Sequence, residues 1–140
     1  LRARYDMIVY HSNWYDLPLA DDAMAPFGAA ERRFGVHGGD IETSMMLAIR
    51  PGQVDMAQAQ DFASTSQQRA EHYPILGNGK SARLAWQMQD YNPQGAAGNA
   101  RAATPAKGQA LVATAGEQLA LLLAELSLLP LSTLVDGPAL

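Results

Sequence analysis

Phe34-Gly35-Val36-His37-Gly38-Gly39-Asp40-Ile41-Glu42-Thr43-Ser44 sets a histidine ahead of two glycines, and the glycines ahead of the start of a helix. The glycines let the backbone turn tightly and leave an imidazole room to face a cavity. The helix N-terminus carries partial positive charge, which favours a neutral ring beside it. A neutral His can accept or pass a proton near pH 7, and Glu42 stands where it can orient that ring. The same residues also fit a plain loop histidine satisfied by backbone, with Glu42 complementing the helix dipole. By type, His37, Asp40 and Glu42 suit zinc or manganese. By spacing they do not: Asp40 and Glu42, two apart, diverge by about 200° around a helix. No metal ligand is therefore assigned in this chain.

Outward from this segment the pattern is helical from Asp40, with Ile41, Met45 and Ala48 on one face, Asp40 as cap and Pro51-Gly52 as stop. Upstream, Met7-Ile8-Val9-Tyr10 is a continuous apolar run that reads as a strand buried on both faces, hence parallel. Residues 11–39 form a long connector. Ligands of open α/β sheets gather at the carboxyl ends of strands, which puts Asn13 and Trp14 where a substrate would sit. Downstream, 54–62 fits a further short helix, 64–81 is polar and turn-rich, and 82–89 partly alternates and reads as a strand. Residues 91–104 are a Gly/Ala/Asn loop. Residues 106–129 read as one amphipathic helix with Leu111, Leu119, Leu122 and Leu126 on its stripe, ended by Pro130. Gly77-Asn78-Gly79-Lys80-Ser81 ends like a phosphate loop, but Pro74 stands where the motif demands glycine and no convincing strand precedes it.

The 140 residues fit a single domain, 1–140, with 48% hydrophobic and 17% charged residues, which rules out a disordered chain. A net charge of -4 argues against a nucleic-acid backbone or an anionic membrane as partner. The apolar stretch 119–131 is interrupted by Glu125, Ser127 and Pro130, too short and broken to span a bilayer. The lack of cysteine excludes disulfides and a Cys nucleophile, and fits a reducing, cytoplasmic location.

Three segments, in matching order and spacing, carry a resemblance to a known family. Val36 to Leu47, followed by Pro51 and Val54, resembles the H-[AG]-G-x-x-E-T-S-x-M-L…P-x-x-V signature of the creatininase (creatinine amidohydrolase) family. Gly95-Ala96-Ala97-Gly98-Asn99-Ala100-Arg101-Ala102-Ala103-Thr104-Pro105-Ala106-Lys107-Gly108 looks like that family's G-x-x-G-D-P-x-x-A-T-x-x-K-G run. Asp6 to Trp14 is similar to the segment before the signature. The resemblance implies a three-layer α-β-α fold with a mostly parallel sheet, present here as the C-terminal portion. It implies a metal-dependent amidohydrolase that cleaves a C–N bond in a cyclic or linear amide, with zinc or manganese activating water. His37 takes the catalytic histidine's place and Glu42 its supporting glutamate's. A small-molecule amide substrate and a homo-oligomer are implied as well.

The departures are specific. The family's metal ligands lie in E-x-H-G-x-H…D and N-G-H-x-x-N motifs, and neither occurs here. The chain thus looks like a C-terminal half, inactive alone, with the metal ligands outside it. Arg33 and Phe34 stand where creatininase proper carries Trp and Asp, which weighs against creatinine itself as substrate. Asn99-Ala100 replaces Asp-Pro. The alternative reading is a non-catalytic truncated remnant that serves as an assembly or interaction module.

Overall fold

A computed structural model describes residues 1–137. The described helices are α1 (Arg2–Tyr5), α2 (Asp21–Met24), α3 (Ala29–Phe34), α4 (Asp40–Ile49), α5 (Thr65–His72) and α6 (Pro105–Leu128), joined by short 3-10 turns. Two two-residue strands, β1 (Asp61–Phe62) and β2 (Gly98–Asn99), pair antiparallel, with Asp61 opposite Asn99 and Phe62 opposite Gly98. A lone antiparallel bridge joins His37 to Ala97. The segment 97–99 therefore ties the His37 loop to β1.

This overturns the expected three-layer α-β-α architecture: among the described residues the chain is helical, and its small sheet is antiparallel. Residues 7–10 form no strand. Strand-forming side chains do not make a strand unless a neighbouring backbone completes the ladder. Among the described residues none does so, and Val9 and Tyr10 are 50% and 62% exposed. Residues 82–87 have no regular structure either, and 88–90 form a 3-10 turn. There the Gln87 amide donates to Asp90 Oδ2 at 2.7 Å, so a local cap takes the donor a ladder would need. Residues 54–62 hold a 3-10 turn at Met56–Gln58 and then β1, instead of a helix.

Both long helices stand where the pattern puts them. Thr104 caps α6, its Oγ1 accepting from the Lys107 amide, and Pro105 opens the helix. The N-terminal half of α6 packs across α4 around buried Leu111, Ser44 and Gly108. A Cβ on Gly108 would run into the Ser44 carbonyl, so the missing side chain lets the two backbones touch. Ala23, Phe27, Ala97, Ala100 and Ala103 complete a small core. By length and composition α6 could cross a bilayer, but its first turns are bound into this core. The stretch 119–128, where Leu119, Leu121, Leu123 and Leu128 are exposed, is about half the ~20 residues a span takes.

Candidate active site

Each letter of the His-Gly-Gly…Glu-Thr-Ser segment has a structural duty. Gly38 has φ +63°, a left-handed conformation that glycine adopts without strain. Its peptide is held from both sides. The Gly38 amide donates to Glu42 Oε2 at 2.7 Å, and Thr43 Oγ1 donates to the Gly38 carbonyl at 3.3 Å. Gly39 approaches the Glu31 carboxylate and the Gly98 backbone so closely that a Cβ would overlap both. Ser44 Oγ donates to Asp40 Oδ1 at 3.1 Å and accepts from the Thr104 amide at 3.1 Å.

His37 Nδ1 lies 3.1 Å from Glu42 Oε2. An ionised carboxylate only accepts hydrogen bonds, so Nδ1 carries the proton and Nε2 is the nitrogen left free for chemistry. The His37 backbone is fixed by exchange with Ala97, whose amide donates to the His37 carbonyl at 2.7 Å. His37, Glu42 and Ile41 line a cleft of about 460 Å³ with Trp14, Tyr15 and Arg83. Trp14 and Tyr15 meet edge to face, 5.6 Å between ring centroids.

The structure thus brings His37, Glu42 and Trp14 to one cleft. Asn13 does not line it: its Nδ2 donates to Asp16 Oδ2 at 2.8 Å in a local turn. Trp14 reaches the cleft from a 3-10 turn, Trp14–Asp16, and not from the end of a strand.

Sequence reasoning passed over Tyr15, Arg83 and Glu31. Glu31 is 8% exposed and accepts from the Ile41 amide at 3.2 Å and the Asn99 amide at 2.8 Å. It thereby caps α4 from another helix, a role assigned to Asp40 on sequence grounds. Gly39 is the N-cap residue, and Asp40 turns inward to Lys107 at 2.6 Å. Only the run of close-packing glycines at 38–39 and 98 hints at a buried group between them.

Among the described residues no three His, Asp or Glu side chains come together to hold a metal. His37 and Glu42 engage each other, and Asp40 is committed to Lys107. The Gly77–Ser81 loop is not a phosphate cradle, because Asn78 Oδ1 accepts the Lys80 and Ser81 amides at 2.8 and 2.9 Å.

The architecture has a solved counterpart. A protein from Bacteroides fragilis NCTC 9343, provisionally named a creatinine amidohydrolase, has a crystal structure that matches this one with a TM-score of 0.68 at 25% sequence identity. The match covers 92% of this chain and 47% of that one, so this chain spans about half the length of its structural neighbour. No curated protein matches the sequence. The sequence model of the family Creatininase, described as creatinine amidohydrolase, matches residues 1–123. That match takes in the His37 segment, the 97–99 segment that pairs with it and most of α6, and the chain belongs to the creatininase family.

Proposed function

We propose that this chain supplies the proton-handling side of an amidohydrolase that cleaves the C–N bond of a small cyclic or linear amide. The observation that carries this reading is the His37 Nδ1–Glu42 Oε2 contact at 3.1 Å on the wall of the cleft. Family membership and the name of the structural neighbour support it.

An amide nitrogen leaves poorly unless it is protonated. With Nδ1–H directed at Glu42, His37 Nε2 can take a proton from the attacking water and pass it to the leaving nitrogen. Glu42 steadies the imidazolium formed between those two events. Trp14 and Tyr15 give the substrate an apolar wall, and Asn13 orients the turn that carries them. A divalent metal, zinc or manganese, is part of the proposal through the family, where it supplies Lewis-acid activation. The proposal places its ligands outside this chain, whose described residues do not make a ligand set for it. We extend the proposal to a homo-oligomer in the cytoplasm.

His37→Asn tests the reading, because Asn keeps similar size but cannot carry a proton at neutral pH. In the complete protein, which carries the metal ligands, we expect amine release from a panel of cyclic and linear amides to fall about 10²–10⁴-fold, mostly in kcat. A near wild-type kcat would remove His37 from the chemistry.

The second reading, an assembly module, is favoured by one observation. Met7, Val9 and Tyr10 and the leucines of 119–128 form exposed apolar surface of a kind that marks interaction sites.

A further inference from the structure

Arg83 lines two clefts. One is the His37 cleft, and the other, of about 390 Å³, is also lined by Arg33, Arg69, Trp86 and Tyr91. Three arginines thus line one concavity of a chain whose net charge is -4. Among the described residues no carboxylate lines this second cleft, and none of the three arginines forms an ion pair. Arg69 is held in place, with Nη1 donating to Thr65 Oγ1 at 2.9 Å and its guanidinium 5.1 Å from the Tyr91 ring centre. Tyr91 in turn packs edge to face on Trp86 at 5.4 Å. Arg33 is steadied by its own neighbour, 4.8 Å over the Phe34 ring.

Like charges around one cleft repel each other, and a bound anion turns that repulsion into attraction. Guanidinium groups match the paired oxygens of a carboxylate or phosphate better than any other side chain. The loop amides that could compete for such an anion, those of Lys80 and Ser81, are already taken by Asn78. Recognition therefore falls to the arginines, and the Trp86 and Tyr91 rings offer apolar surface to whatever carries the anion.

We propose that the second cleft is an anion-binding subsite, joined to the His37 cleft through Arg83, and that the substrate is an amide bearing a carboxylate or phosphate group remote from the scissile C–N bond. The amide part rests on the proposed function, whereas the anion part stands on the arginines alone.

Calorimetric titration of the protein with phenyl phosphate, benzoate and neutral benzamide tests it. We expect saturable binding of at least one anion, tighter than any binding of benzamide. A preference for phenyl phosphate identifies the group as a phosphate, and a preference for benzoate as a carboxylate. Arg69→Gln and Arg83→Gln should each weaken binding at least about tenfold, and His37→Asn should leave it unchanged. Arg83 makes no side-chain hydrogen bond or ion pair among the described residues, so its replacement does not confound folding. Absence of saturable anion binding, or equal binding by wild type and Arg83→Gln, overturns the subsite. If the complete protein, with its metal ligands, binds the anion but hydrolyses no amide, the amidohydrolase reading falls and the subsite stands. Amide hydrolysis without anion binding does the reverse.

Discussion

Asp40 and Glu42 sit two residues apart in the first turn of α4, and their surroundings could hardly differ more. Asp40 is 3% exposed, gripped by Lys107 at 2.6 Å and by Ser44. The Glu42 side chain is 45% exposed and holds His37 and the Gly38 amide. The angle of about 200° between them, which ruled out a shared metal, puts one carboxylate on the packed side of the helix and the other at the cleft. One helical turn therefore carries both the anchor of the fold and the orienting group of the site. The two should be separable by mutation.

Lys107→Met should show the largest effect on the anchor. It leaves Asp40 as a buried unpaired charge, which costs about 3–5 kcal/mol, read as a lowered urea midpoint. Adding Asp40→Asn should recover part of that loss, since the stranded charge disappears. No recovery would mean that Lys107 matters for its packing over Phe27 (5.2 Å to the ring centre) and not for its charge. Gly108→Ala comes next. Its Cβ meets the Ser44 carbonyl, and forcing α4 and α6 apart should cost about 1–3 kcal/mol, measurable by thermal unfolding. Glu42→Gln should be the mildest. The amide keeps a hydrogen bond to the ring but no charge to steady an imidazolium. We expect about a tenfold loss of kcat, the low end of what charge-assisted hydrogen bonds contribute, with stability unchanged. If Glu42→Gln instead lowers stability as much as Lys107→Met, the division of labour within this turn is wrong.

What the sequence revealed and what it hid divide along the same line of range. Features settled within a few residues were readable. These include the bounds of α4 and α6, the stops at Pro51 and Pro130, the turn at Gly38-Gly39 and the His37–Glu42 pairing. The helix α5 was missed because Thr65–His72 carries no apolar stripe to announce it, although Ser64 caps it. The strands expected at 7–10 and 82–89 failed because a strand is a property of two segments, and only one can be read at a time. Arg83 comes to the His37 cleft from the segment misread as a strand, and Tyr15 from a connector without periodicity. Nothing near Glu31 or Asp40 announces partners 68 and 67 residues away.

Those distances along the chain bear on when the cleft comes into being. Glu31 waits for Asn99, Asp40 for Lys107, and the Ser44 hydroxyl for the Thr104 amide 60 residues later. On a translating ribosome the His37 loop emerges long before any of these partners. The first turn of α4 then has its own hydrogen bonds and the Glu31 cap within reach, but not its ion pair. Closing loops of this length costs entropy that local contacts cannot repay, which slows the closing step. Because all three long-range ties arrive within residues 99–107, they should close together. The nascent chain thus gains its cleft late and nearly in one event, when a segment of fewer than ten residues folds back onto the start of α4.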